Sequence, residues 1–307
     1  MRKVSLAIGV LQELFGDKGA LRKARELGLD GVDFNLLRFD DTLYLRPRAE
    51  IEAYFHELRD EADRLGIAVA QTHGRIAGRR PGPEFNARML RFAELDLMAT
   101  RILGAEFCVM HGVNSSRWGR HADPQAMRDR NDAMFRDYLP FAVENGVTIA
   151  TETFGDSHSR VPGEDPEAAF LDFFGDAGEF LAAYRRIAAE PTFAPHFRVC
   201  MDTGHTNKAH RFPGEPTAGD LIRMLGSAVG CLHLNDNDMM TDQHLVPLAG
   251  SLDWNDVFAA LGEIGYRGWY NMELALRRFG GSPEMVMAYA AFAVKVMREL
   301  LRDRRPA

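Results

Sequence analysis

The sequence predicts an α/β protein built as a single-domain (β/α)8 barrel, a TIM barrel, over residues 1–307. Two observations carry this. Short β-rich runs alternate with longer segments of helical periodicity, the pattern of βα units around a parallel sheet. The alternation also repeats eight times with no linker, which favours a closed barrel over an open doubly wound sheet.

The β-rich runs are Val4–Val10, Gly31–Asn35, Ala68–His73, Phe107–His111, Thr148–Glu152, Arg198–Asp202, Gly230–His233 and Trp269–Glu273. Gly19–Leu27 follows the first run, with Ala20, Leu21, Ala24 and Leu27 at helical spacing. Glu50–Leu65 repeats Ile51, Tyr54, Phe55, Leu58, Ala62 and Leu65 at intervals of three and four. Glu84–Leu103, Pro124–Glu144, Ala177–Ile187, Thr217–Leu225 and Asn255–Ile264 read the same way, and a C-terminal helix is expected over about 283–301. Gly28, Gly66, Gly104, Gly146 and Gly265 stand where left-handed C-caps belong. The chain is slightly long for a minimal barrel, so some βα loops must be long: Ser115–Asp123, Asn237–Ser251, and Gly155–Gly175, which reads as a lid or a disordered excursion.

Bulk properties narrow the function. A formal net charge of -7 argues against nucleic acid and against an anionic membrane surface as partners. No run approaches the roughly 20 apolar residues of a membrane helix. The apolar run Val4–Leu11 is too short, and too soon followed by Gln12 and Glu13, for a signal peptide, and lacks a small-residue cleavage site. Cys108, Cys200 and Cys231 are odd in number and lie in apolar runs, which predicts buried free thiols and a cytoplasmic location. Arg75, Arg79 and Arg80 form the main basic cluster and read as a solvated loop.

The strand bodies are apolar, yet six strands in succession end on a metal-competent side chain: His73, His111, Glu152, Asp202, His233 and Glu273. One such residue is ordinarily a satisfied polar group near a loop. Six converge, because barrel geometry gathers C-terminal strand ends around a common axis. Converging carboxylates repel one another and raise their pKa values unless a cation neutralises them. A metal held by Glu152, Asp202, His233 and Glu273 resolves the conflict. Three carboxylates and one imidazole suit Mn2+, Mg2+ or Co2+, whereas His73, His111, His205 and His244 would suit Zn2+ and more than one ion.

The stretches Thr151-Glu-Thr-Phe154, Met201-Asp-Thr-Gly-His205, His233-Leu-Asn-Asp236, Asp242-Gln-His244, Ser251-Leu-Asp-Trp254 and Asn271-Met-Glu273 resemble, in this order, the xylose-isomerase-like barrel superfamily of sugar phosphate isomerases/epimerases, ketose 3-epimerases and endonuclease IV. The resemblance to ketose 3-epimerases implies one divalent ion on Glu152, Asp202, His233 and Glu273. It also implies Glu152 and Glu273 as acid and base, and His205 as a contact to a substrate oxygen. The chain departs from that group after His233, where an arginine is expected and Asp236–His244 stands instead. The Asp242-x-His244 pair resembles part of the endonuclease IV trinuclear zinc site, whose other positions would be filled by His73, His111, Glu152, Asp202, His205, His233 and Glu273.

The expected function is a divalent-metal-dependent isomerase or epimerase of a small sugar, keto-sugar or polyol derivative, working by proton abstraction through a metal-stabilised enediolate. Phe15, Trp118 and Phe154 are candidates for an apolar wall against a sugar face. Gly31, Asp33 and Asn35 are candidate substrate contacts. An endonuclease IV-like multi-zinc phosphodiester hydrolase ranks second, opposed by the acidic charge; a lyase or dehydratase on a keto-polyol would share the same first step. The expected partner is a small carbohydrate, with a homo-oligomer left open.

Overall fold

The computed structural model describes residues 2–76, 80 and 82–302. The strands are, in chain order, β1 (Val4–Ala7), β2 (Gly31–Asn35), β3 (Ala68–His73), β4 (Phe107–Met110), β5 (Thr148–Glu152), β6 (Asp156–His158), β7 (Ala169–Leu171), β8 (Phe197–Asp202), β9 (Val229–His233) and β10 (Tyr270–Met272). All but β6 and β7 form one parallel 8-stranded sheet in the order β10-β1-β2-β3-β4-β5-β8-β9. Its two ends meet: the Leu234 N–H donates to Asn271 O at 2.8 Å, and the Glu273 N–H to Leu234 O at 3.2 Å. The architecture is therefore a single-domain TIM barrel.

The helices are α1 (Gly9–Glu26), α2 (Arg48–Leu65), α3 (Pro83–Leu103), α4 (Pro124–Asn145), α5 (Ala177–Ala188), α6 (Thr203–His210), α7 (Ala218–Leu225), α8 (Trp254–Glu263) and α9 (Pro283–Arg302). Most present one apolar stripe to the sheet. In α2 the buried residues are Ile51, Phe55, Leu58 and Ala62, at the spacing that puts them on one face. Gly66, Gly104 and Gly146 end their helices in the left-handed conformation, and Gly28 and Gly265 also take positive φ just past theirs. Among the described residues no helix is long and apolar enough to cross a membrane.

Inside the barrel, Val109, Ala150, Cys200 and Cys231 form a small apolar cluster of their own. Each stands two residues before a polar strand end: His111, Glu152, Asp202 and His233. Side chains two apart on a strand share a face, so this cluster is the floor directly beneath the polar residues. The three cysteines are free and buried.

The structure differs from the sequence reading in several places, of which the following bear on the site. The first strand stops at Ala7 and helix starts at Gly9, because the run to Val10 mixes strand and helix; a kink at Gly16 (φ 68°, ψ 169°) splits α1 and hid its first half from the periodicity. The Gly155–Gly175 segment contains an antiparallel hairpin, β6 paired with β7. It is pinned to its surroundings, with Lys208 Nζ 2.7 Å from Asp156 Oδ1, Arg211 also paired to Asp156, and the Arg160 N–H donating to Ser116 O at 2.7 Å. Arg75 is not solvated: it is 2% exposed, with Nε 2.6 Å from Asp96 Oδ2 and Nη1 2.6 Å from Asp40 Oδ1. Arg79, grouped with it from sequence, lies outside the described residues.

Candidate metal centre

The polar strand ends sit at one mouth of the barrel. His73, Glu152, Asp202 and His233 are the last residues of β3, β5, β8 and β9; His111 and Glu273 each follow their strand by one residue. Asp202 and His233 are register partners and so stand at the same height. One ligand atom each from Glu152, Asp202, His233 and Glu273 lies within 4.8 Å of all the others. His233 Nδ1 is 3.2 Å from both Glu152 Oε1 and Glu273 Oε2, and 4.0 Å from Asp202 Oδ2.

The remaining predicted residues close around this group. His111 Nε2 lies 2.9 Å and His73 Nε2 3.6 Å from Glu152 Oε2. His205 Nδ1 is 3.3 Å from Glu152 Oε1, and its Nε2 is 3.6 Å from Asp242 Oδ2. His244 Nε2 is 3.3 Å from that same Asp242 oxygen, while its Nδ1 is 3.6 Å from Glu273 Oε2. His73, His111 and Glu152 form a second group compact enough for an ion, and His205, Asp242 and His244 a third. All nine side chains predicted from sequence are thus brought together.

A layer of buried hydrogen bonds aims these groups. His233 Nε2–H donates to Asp33 Oδ2 at 3.0 Å, which leaves Nδ1 as the nitrogen that faces the carboxylates. The same Asp33 oxygen accepts from Gln71 Nε2 at 3.0 Å and Asn271 Nδ2 at 3.2 Å. Asp202 caps α6, its Oδ1 accepting the His205 N–H at 2.7 Å, and its Oδ2 accepts from Asn235 Nδ2 at 2.9 Å. The His205 ring is set by Nδ1, 3.0 Å from Thr153 O. The loop that carries Asp242 and His244 is braced by Asp236, which accepts the Leu252 N–H at 3.1 Å and the Trp254 indole N–H at 2.8 Å.

The electrostatics ask for positive charge. Burial alone would lower the His73 and His244 pKa values, but the carboxylates around them win and push both up to about 9. Burial pulls the His205 and His233 rings the same way, and again the surrounding negative groups hold both well above the ordinary histidine range. Burial would raise Glu152, yet the charges of His111 and His233 hold it well below the usual carboxylate range. Asp202 goes up, through burial and the repulsion of Glu152 and Glu273. His73, His205, His233 and His244 are thus pushed toward their charged form, the positive charge a cation would otherwise supply. Both Glu152 carboxylate oxygens and His233 Nδ1 are buried without a well-aligned hydrogen bond among the described residues, close as the ring nitrogens and carboxylates lie. Orphaned atoms of that kind cost stability unless something coordinates them. The donor set therefore fits a divalent ion.

Some candidates fall elsewhere. Asp33 is buried at 1% and orients His233 rather than lining an opening, while Asn35 has its main chain bonded to Gln12 and its side-chain oxygen accepting the Leu37 N–H. Gly31 begins β2, at the far end of the barrel, where an added Cβ would meet the Trp269 ring at 2.8 Å. Phe154 does reach the site, its ring centroid 5.2 Å from His205 and 6.0 Å from His111. Phe15 packs under Lys23 instead, and Trp118 packs under Arg130 and lines a separate cavity with Arg117 and Arg160. Sequence reasoning missed the roles of Asp33, Thr153 and Asn235. The available signal was a charged residue, Asp33, in the middle of a strand whose neighbours are apolar.

Comparison with known proteins agrees with this architecture. The family described as Xylose isomerase-like TIM barrel matches residues 21–299. A curated relative, the D-psicose 3-epimerase of Enterocloster bolteae, is 25% identical over 301 residues, covering 95% of this chain and 85% of its own. Among solved structures, a D-tagatose 3-epimerase-like protein superposes with a TM-score of 0.70 at 17% identity, over 98% of this chain and 97% of the other. The D-psicose 3-epimerase of Clostridium cellulolyticum H10 superposes with a TM-score of 0.68 at 19% identity, over 92% and 93%. The chain belongs to the xylose isomerase-like TIM-barrel family.

Proposed function

We propose that this chain is a divalent-metal-dependent epimerase or isomerase of a small sugar, acting by proton abstraction beside a carbonyl. The observation that carries the reading is the pairing of Glu152 and Glu273, two carboxylates that share one ligand group with Asp202 and His233 yet stand on barrel staves separated by β8 and β9. Likeness to sugar 3-epimerases along nearly the whole chain supports it. Glu152, Asp202, His233 and Glu273 would hold the ion, with Mn2+, Mg2+ or Co2+ matching the oxygen-rich donors. When bound, the ion supplies Lewis acidity that polarises the carbonyl and acidifies the neighbouring C–H. One glutamate removes that proton and the other returns one to the opposite face. His205, whose ring is set by Thr153 O beside Phe154, would donate to a substrate oxygen.

A second reading has its own support. The His73–His111–Glu152 and His205–Asp242–His244 groups supply ligands for two further ions, the composition of a multi-zinc hydrolytic centre. Metal content per chain separates the two, with one ion expected for the epimerase. The direct test incubates metal-loaded protein with ketoses in D2O and follows deuterium entry and epimer formation by NMR. Exchange is expected in the wild type, with a loss of at least a thousandfold in both Glu152→Gln and Glu273→Gln. Exchange that persists in both variants, or three zinc ions with phosphodiester cleavage, overturns the reading.

A further inference from the structure

A separate cavity of about 380 Å3 is lined by residues from the segments that follow β2, β3 and β4, among them Asp40, Arg75 and Asn114. Its wall comes from the segments after β3 and β4, the first turns of α3 and the turn of the β6–β7 hairpin, and it carries Arg80, Arg88, Arg117 and Arg160. Arg75, also in the wall, is already neutralised by Asp96 and Asp40. The other four make no ion pair among the described residues. They share a common space: burial first, and then the charges of Arg117, Arg160 and Arg88, pull the Arg80 guanidinium below its ordinary pKa.

Two of these arginines share an aromatic neighbour, and the main chain of a third is tied to the segment after β4. Arg80 and Arg88 flank the Phe85 ring, with Cζ 4.4 and 5.8 Å from its centroid. The Arg80 main chain is clasped by Asn86, which accepts its N–H at 3.1 Å and donates to its carbonyl at 2.9 Å. The Arg160 N–H donates to Ser116 O at 2.7 Å. Four guanidiniums gathered where Asp40, the one carboxylate among the lining residues, is engaged by Arg75 mark a place for an external anion, in a chain of net charge -7. The lining is tied to the strand ends of the metal centre through the main chain of Arg75. Arg75 follows His73 by two residues, and its carbonyl accepts the His111 N–H at 2.9 Å. Several forked guanidiniums around one space match a phosphate dianion better than a single-charge carboxylate.

We propose that this cavity receives the phosphate monoester of a phosphorylated ketose whose carbonyl end lies at the metal centre, an inference that rests on the sugar-epimerase reading. Two measurements on the metal-loaded protein test it. The first is calorimetric titration with inorganic phosphate of the wild type and of the double variant Arg117→Gln/Arg160→Gln, whose exposed side chains leave the fold unaffected, with circular dichroism as the control. A loss of about tenfold in affinity per guanidinium removed is expected. The second compares kcat/KM for a ketose phosphate, its neutral parent and a ketose bearing a terminal carboxylate; the phosphate is expected to lead by about a hundredfold, and the lead to collapse in the variant. Equal phosphate binding by wild type and variant overturns the proposal, as does a neutral or carboxylated ketose that turns over as well as the phosphate. Arginine-dependent phosphate binding without exchange in any ketose leaves the cavity assigned and the epimerase reading refuted. Exchange in neutral ketoses with arginine-independent phosphate binding does the reverse.

Discussion

Asp33 and His233 are 200 residues apart in sequence, and a 3.0 Å hydrogen bond between them decides which imidazole nitrogen faces the metal centre. A carboxylate only accepts, so His233 Nε2 must carry the proton and Nδ1 is left as the ligand. The bond lies under the site, fully buried, with Gln71 and Asn271 holding the carboxylate in place.

Replacing Asp33 therefore should weaken the metal without touching a ligand. Asp33→Asn can present its amide N–H to Nε2, which favours the wrong tautomer. A drop in metal affinity of about 10- to 100-fold is expected, read by competitive chelator titration, with secondary structure unchanged.

Gly204 offers an independent route to the same centre. A Cβ there would stand 1.9 Å from Asn235 Oδ1, and Asn235 is the residue that donates to Asp202. Gly204→Ala must displace a buried, hydrogen-bonded amide. The expected result is a loss of metal affinity comparable to that of Asn235→Ala, with little added when the two changes are combined; fully additive losses in the double-mutant cycle would show that Gly204 acts elsewhere.

Metal and protons compete for the histidines. In the metal-free protein His73 and His244 are pushed up to about 9, from an ordinary value near 6.5. A raised histidine pKa contributes stability that is complete below about 6.5 and is lost as pH rises through about 9. Chelator-treated protein should thus lose thermal stability across that window, while apparent metal affinity climbs over the same range. Calorimetry in buffers of different ionisation enthalpy should register proton release on metal binding at pH 7.5.

Arg75 anchors the floor of the separate cavity through a buried ion cluster. Its guanidinium meets Asp96 through two nitrogens, at 2.6 and 3.2 Å, and the Tyr44 hydroxyl donates to Asp96 Oδ1 at 2.7 Å. Arg75→Met strands a carboxylate that is fully buried. A loss of about 3–5 kcal/mol is expected, measured by urea denaturation of metal-loaded protein.

Much of this was readable from the chain alone. Strand bodies Gly31–Asn35, Ala68–His73 and Thr148–Glu152 match observed strands residue for residue, because apolar runs between glycine-capped helices leave little freedom in where a strand begins and ends. The α6 helix was invisible. Thr203–His210 carries no apolar stripe, since it is buried among polar groups of the site on every side, and periodicity measures only contrast with water. The hairpin of β6 and β7 was equally hidden, being held by Asp156, Lys208 and Arg211 rather than by an alternating apolar face.

The sequence by itself determined the barrel and the identity of its polar strand ends, for both follow from local periodicity and from the rule that parallel staves finish at one mouth. Tertiary structure alone decided which nitrogen of His233 faces inward, that Asp33 serves His233 and not a substrate, that Arg75 is buried while Arg80, Arg88, Arg117 and Arg160 share a cavity, and that Asp242 and His244 reach His205 and Glu273. These are contacts between residues far apart along the chain. Their energies depend on distance and burial across the barrel, which no local pattern encodes.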